Sequence, residues 1–191
     1  YEDLLKRIVE NPAAPDRVID AMDALVRRFI VRGDHAEAVN YLSTVAADAP
    51  PAAHDIFVEE QAWLLSQALG KAEEGASLWT RLKEKGVSAS AIWALSERAA
   101  AGRDLSTLAT LNNELSHAVV DKALAAQLCL RAGNFADLVG GRGHDASEAY
   151  RRALVLDDDC IEARWGLAAQ EDLNAKERAE NLEAIRTWLP E

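Results

Sequence analysis

The sequence predicts an all-α protein assembled from helix–turn–helix pairs, and three observations carry that expectation. Apolar residues recur at spacings of three and four, the period of a helix face, instead of alternating as in a strand. Glycine and proline are few, 10 and 5 in 191 residues, and several stand at segment boundaries: Gly33, Pro50-Pro51, Gly86 and Gly102. One punctuated pattern occurs early and a related one late. The early copy runs Gly33-Asp34-His35-Ala36-Glu37-Ala38, then Leu42, Val45 and Pro50. The late copy places Ala146, Tyr150, Ala153, Leu154 and Asp157 at comparable intervals and leads into Ile161-Glu162-Ala163-Arg164-Trp165-Gly166-Leu167-Ala168.

These residues resemble the tetratricopeptide repeat, whose second helix follows a pattern G-D-x-x-x-A-x-x-x-L-x-x-V-x-x-x-x-P. The stretch after Ile161 is similar to the family's opening helix. The resemblance implies an α-solenoid: antiparallel helix pairs stacked in a right-handed superhelix, forming a single array over residues 1–191. Such repeats commonly hold other proteins.

The elements follow in order. Residues 1–12 read as the trailing helix of an upstream repeat, with Leu4, Leu5, Ile8 and Val9 as its apolar stripe and Pro12 as its stop. That stripe makes the chain read as a portion of a longer protein, since solenoid ends normally carry polar caps; a short capping helix is the alternative. The first full pair spans 16–50, a helix from Asp16 to Arg32 and one from His35 to Asp48, with Asp16 after Pro15 as N-cap. The second spans 53–86, from His54 to Leu69 and Glu73 to Lys85, closed by Gly86. The third spans 88–116 around Gly102. The fourth, 117–157, opens with a helix from Ala118 to Ala132 and a turn at Gly133-Asn134-Phe135 similar to the family's G-D-Y. Its next small residue is delayed to Ala146, so 136–145, with Gly140-Gly141-Arg142-Gly143, reads as an inserted glycine-rich loop. The last pair spans 160–189, Ile161 to Asp172 and Ala175 to Leu189, stopped by Pro190. The repeats are uneven: Gly75 and Thr107 stand where small Ala38 stands in the first, and Trp79 and Leu111 take the place of Leu42.

Charge narrows the partners. There are 21 Lys+Arg against 32 Asp+Glu, a formal net charge of -11. Such a chain repels phosphate backbones unless its cations cluster, and Arg27-Arg28 and Arg151-Arg152 are isolated pairs, so nucleic acid is not an expected partner. No apolar run approaches the ~20 residues that span a bilayer, so membrane insertion is not expected either. Cys129 and Cys160 form no C-x-x-C motif and no metal spacing, which favours a reducing, cytoplasmic setting.

No residue pattern implies a catalytic centre or a cofactor. Gly140-Gly141-Arg142-Gly143 lacks phosphate-loop spacing. His35, His54, His117 and His144 are scattered without an i, i+4 pair to grip a metal. Asp157-Asp158-Asp159 stands where the family has its inter-repeat turn, so turn chemistry accounts for it.

The resemblance also implies a concave groove lined by the first helix of each pair. Aligned on their turns, these helices offer Asp20, Asp23, Arg27 and Ile30; Phe57, Glu60, Leu64 and Gln67; Ala89, Ile92, Ser96 and Ala99; Val120, Ala123, Gln127 and Leu130; and Glu162, Trp165, Ala169 and Asp172. The expected partner-binding centre is Phe57, Leu64, Ile92, Ser96, Ala123, Gln127 and Trp165, with an acidic rim of Asp20, Asp23, Glu162 and Asp172. A segment, a cap or a second subunit covering this stripe is the alternative. The Lys, Arg and Asn that capture chaperone tails in some members are mostly absent here. The expected activity is therefore non-catalytic: a scaffold binding a partner polypeptide segment that is apolar with basic flanks, within a larger protein or complex. A substrate-recruiting domain of a larger enzyme, or a receptor solenoid for a peptide or small ligand, are the competing expectations.

Overall fold

The computed structural model describes residues 2–9, 15–49, 51–86, 88–140 and 143–188. Among them there are eleven α-helices, one π-helical segment and no strand. The chain divides into two compact units, Tyr1–Val87 and Ser88–Glu191.

Unit 1 contains α1 (Glu2–Val9), α2 (Pro15–Arg32), α3 (His35–Asp48), α4 (Pro51–Trp63), the π-helical segment Leu64–Ala68 and α5 (Ala72–Glu84). Proline opens both α2 and α4, where its fixed φ suits the first turn and its missing N–H costs nothing. Pro12 and Pro50 lie outside the described residues, and Asp16, expected as the N-cap, is instead the second residue of α2, which opens at Pro15. Each helix packs on the next in the chain. At the α2–α3 corner Gly33 takes φ +81°, Asp34 N–H donates to Phe29 O and Gly33 N–H to Ile30 O, closing the carbonyl end of α2. A two-residue connection between packed neighbours makes them antiparallel. The core is made of large side chains: Leu25, Val26, Phe29, Leu42, Phe57, Leu64 and Leu82 are all buried. Each removes roughly 1.5–3 kcal/mol of apolar side chain from water. After Trp63 the ladder widens, so that Leu69 N–H reaches back to Leu64 O. There Gly75 brings α5 against it: a Cβ at Gly75 would collide with Ser66 Oγ and lie 2.8 Å from Ala62 O.

Unit 2 contains α6 (Ala89–Ala101), α7 (Leu105–Ala118), α8 (Lys122–Val139), α9 (Gly143–Leu156), α10 (Ile161–Ala169) and α11 (Ala175–Arg186). Four of these start on a side-chain cap. Ser88 Oγ accepts from Ala91 N–H, Asp104 from Thr107 N–H, Asp121 from Leu124 N–H and Asn174 from Glu177 N–H. The tightest packing is around Tyr150 of α9. Its buried ring lies against Gly133 of α8 and Gly166 of α10, where any Cβ would strike it, at 2.5 Å in the case of Gly133. The phenol donates to Asp137 Oδ2 at 2.6 Å, and Asn134 lies 2.9 Å away. Gln170 donates to the same Asp137 carboxylate and to Gly166 O, and Arg178 caps Gln170 O. Burial, then the hydrogen bond and charge of Asp137, push the Tyr150 phenol far above its usual pKa.

Two expectations are corrected here. Gly133-Asn134-Phe135 is not a turn: α8 runs through it to Val139. Gly133 is small because α9 approaches it, not because the chain bends. The expected inserted loop over 136–145 is therefore one further helical turn, a corner at Gly140 with φ +73°, and the first turn of α9, which already holds His144 and Asp145. Gly141 and Arg142 lie outside the described residues. Helix α10 also ends earlier than expected, at Ala169, leaving Asp172 in a turn. Helix α11 ends at Arg186, and Leu189 and Pro190 lie outside the described residues. Thr107, expected at a small buried position, is exposed and donates its N–H and hydroxyl to the Asp104 cap.

Candidate interaction surface

In unit 2 the outward face of the alternate helices α6, α8 and α10 follows from what each must bury. Helix α6 buries Ala91 and Ala99 and lays Ile92 and Leu95 against the Leu108–Leu111 core. One helical face is left, Trp93, Glu97 and Ala100, and Trp93 is 49% exposed. Helix α8 buries Ala125, Ala126, Leu128, Cys129 and Leu130, leaving Leu124, Gln127 and Arg131 on one stripe at i, i+3, i+7. Helix α10 buries Ala163, Leu167 and Ala168 and exposes Glu162, Trp165 and Ala169, with Trp165 at 55%. Trp93, Glu97 and Arg131 border one shallow depression of about 30 Å³ where α6, α7 and α8 meet, floored by Leu108, Asn112 and Leu115. That volume admits about one water. Neither Glu97 nor Arg131 makes an ion pair among the described residues, so both present charge outward.

Unit 1 has a corresponding outward face on α4. Ile56, Glu60, Trp63 and Gln67 share it, with Ile56 and Trp63 exposed. Beside it Asp23 and Arg27 of α2 form an ion pair at 2.7 Å. Desolvation, and then the Asp23 charge, raise the Glu60 carboxyl above its ordinary pKa.

The expected groove residues fall out unevenly. Phe57 and Leu64 are core residues, 3% and 0% exposed, and cannot line an open surface. The apolar stripe Ala53, Phe57, Ala62, Leu64 and Leu65 is what seats α4 in unit 1, so the outward residues are their neighbours Ile56 and Trp63. Ile92 is likewise turned onto the core, and Trp93 beside it faces out. Ser96 is half-buried, donates to Ile92 O and borders the shallow depression. Ala123, Gln127 and Trp165 are exposed as expected. Of the rim, Asp20, Glu162 and Asp172 are exposed, and Asp23 is half-buried. Asp23 is engaged by Arg27, and Asp172 accepts a hydrogen bond from Ser147 of α9 at 2.9 Å, which ties it to a buried side chain. The expected residues also divide between the two units, Phe57 and Leu64 in the first and the other five of the centre in the second.

Sequence reasoning misses Trp63, Trp93 and Arg131. A register drawn from turn positions carries an error of one residue, and one residue is 100° on a helix. The signal is present as two tryptophans, each next to a residue with a stronger claim to the core. Among the described residues no group of three His, Cys, Asp or Glu could hold a metal ion, and no helix is long and apolar enough to cross a membrane. Asp157 acts as turn chemistry: its carboxylate accepts Asp159 N–H. No family model matches this chain, and no curated protein matches it at a significant level.

Proposed function

We propose that this chain is a helical-repeat scaffold that binds another polypeptide on the outward faces of its first helices, in a tetratricopeptide-like solenoid. The observation that carries the reading is the placement of the indoles. The fold buries Trp79 to 8% exposure yet leaves Trp63, Trp93, Trp165 and Trp188 about half exposed, the first three on the first helix of a pair and Trp188 just after the last helix. An exposed indole forgoes the burial of a large apolar surface, and Trp is the residue type most enriched in binding hot spots. Within unit 2, Gln127 and Arg131 stand between Trp93 and Trp165 in chain order and supply polar contacts around apolar anchors. The net charge of -11 steers cationic segments toward the chain, so the partner is an apolar segment with basic flanks.

The test compares the native chain with Trp93→Ala and Trp165→Ala as baits, with captured proteins identified by mass spectrometry. Both indoles are about half buried at the rim of the core, so helical circular dichroism is expected to persist while stability falls by roughly 1–2 kcal/mol, which leaves the chain folded. The expected result is loss of the same captured partner by both variants. Capture of that partner at native levels by both would remove the indole faces from consideration.

A further inference from the structure

A second feature of unit 2 lies away from the indole face and is independent of that reading. Helices α7 and α9 flank a cleft of about 300 Å³ floored by α8. The floor is small and apolar, Ala109, Ala132, Ala136 and Ala149, all buried. The walls are polar. Helix α7 contributes Thr110, Asn113 and His117, one turn apart, and α9 contributes Asp145, Glu148 and Arg152. Two polar ladders over an alanine floor are not what a helix contact needs, because three apolar residues on each wall would close it.

The Arg152 guanidinium is the most informative group. Its Nη2 donates to Ser116 O at 3.4 Å, a long contact, while its Nη1 is buried with no hydrogen-bond partner. Among the described residues no carboxylate lies within ion-pair reach of it. The guanidinium therefore borders the cleft as a cation with no carboxylate partner among those residues, and a carboxylate is the acceptor that matches its planar fork. Across the cleft, burial and then the Arg152 charge depress the His117 pKa, so the imidazole stays neutral and can accept or donate a hydrogen bond. Toward the other end the sign reverses: Glu148 is one turn before Arg152 and has no ion-pair partner among the described residues, and Asp145 stands near it. These carboxylates repel a dianion such as phosphate and favour an ammonium. Along the axis of α9, Glu148 and Arg152 are about 6 Å apart, four residues at the helical rise. Two extended residues of peptide span at most roughly 7 Å.

We propose that the α7–α9 cleft binds a zwitterion the size of a dipeptide, its carboxylate on Arg152 and Asn113 or His117, its ammonium on Glu148, and small apolar side chains on the alanine floor. The volume is at the lower end for a ligand pocket, which suits a ligand of this size.

The probes are L-Ala-L-Ala, its N-acetylated form, which lacks the ammonium, and its C-terminal amide, which lacks the carboxylate. Each is titrated into the native chain and followed by amide chemical shifts. The expected result is saturable shifts at Asn113, His117 and Ala149 with the free dipeptide, and roughly ten- to hundred-fold weaker binding of both blocked forms. Arg152→Gln and Glu148→Gln are each expected to weaken the free dipeptide by a similar factor. Should Arg152→Gln fail to fold, the blocked probes on the native chain decide alone. The assignment is overturned by an absence of saturable shifts with the free dipeptide, or by blocked forms that bind as well as the free one. It is also overturned if a folded Arg152→Gln chain binds the dipeptide with native affinity.

Discussion

Units 1 and 2 solve the same problem, fastening helices to their chain neighbours, with different materials. Unit 1 relies on bulk. Its described caps, Asp34 and Lys71, accept no side-chain hydrogen bond from the backbone N–H groups of the helix they precede, and its interior is filled by leucines, valines and two phenylalanines with alanines between them. Unit 2 relies on closeness and polarity. Its interior is largely alanine with two glycines against one tyrosine, four of its helices are capped by side chains, and Asp137, Gln170, Arg178 and the bidentate Arg151–Glu177 pair bind its last helices together. The lesson is where each unit is fragile. Unit 1 is sensitive to loss of volume and, at Gly75, to gain of it, whereas unit 2 is sensitive to gain of volume around Tyr150 and to loss of a single hydrogen-bonding group.

The largest effect is expected from Phe57→Ala. A buried phenylalanine truncated in a core of large residues costs about 3–5 kcal/mol, the lost transfer energy plus the cavity. Hydrogen exchange read by mass spectrometry separates the two units, and the expected result is faster exchange across α3, α4 and α5. A cost below about 1 kcal/mol would mean that unit 1 collapses around the cavity, and the volume half of the comparison would fail.

The converse test is Gly133→Val. The added side chain meets the Tyr150 ring, and overpacking of this kind costs typically 1–3 kcal/mol. Tyr150→Leu in the same chain removes the obstruction while also removing the donor to Asp137, so the double variant is expected to recover only part of the loss. Full recovery would show that the phenol's hydrogen bond contributes nothing and that unit 2 too is held by volume alone.

This pair of tests also marks how far the sequence is legible. Spacing marks Ala38, Ala153 and Ala168 as points of close helix approach, and all three are buried, the first two completely. Gly33 and Gly86 read as helix ends, and both take positive φ. Gly133 reads wrongly as a turn because a glycine in a chain has two uses, a turn or a close approach, and the distinction depends on Tyr150, 17 positions later. The outward indoles escape notice for the related reason that helix periodicity fixes a buried stripe only to within one residue, and Phe57 and Trp63 are equally apolar to that pattern. The polar cleft is not legible, since nothing in the sequence brings Asn113 opposite Glu148.

A smaller effect, confined to acid, is expected at Asp104. Hydrogen bonds from the Thr107 hydroxyl and then its backbone N–H hold this carboxyl below its ordinary pKa. A carboxyl depressed in the folded state adds stability that is fully present above the unfolded value, about 3.9, and is lost as pH falls through the folded value. Asp104→Asn keeps a capping acceptor but cannot titrate. Its melting temperature is therefore expected to fall less steeply than the native chain's below about pH 4. Parallel acid profiles would show that the charge on this cap contributes nothing.

The smallest effect lies one residue earlier and has the opposite sign. At the α6–α7 corner the left-handed position is filled by Arg103, φ +55°, while Gly102 before it has an ordinary helical φ of -80°. Arg103 N–H and Asp104 N–H close the end of α6 on Ala100 O and Ala99 O, the same arrangement that Gly33 and Asp34 make at the end of α2. A side chain in the left-handed region costs roughly 1–2 kcal/mol. The Arg103 side chain is exposed and makes no hydrogen bond or ion pair among the described residues that would offset this. Arg103→Gly relieves the strain but gives the unfolded chain more freedom, which returns about 0.5–1 kcal/mol. The net expectation is a stabilisation of about 0.5–1 kcal/mol, read as a rise in melting temperature of roughly 1–4 °C. Gly33→Ala in unit 1 is the mirror experiment and should lower stability by a similar amount, because a Cβ there meets no neighbour and only the backbone conformation is penalised. If Arg103→Gly lowers the melting temperature instead, the corner is held by the arginine side chain and not by backbone geometry. The turns of the two units would then differ in kind, as their cores do.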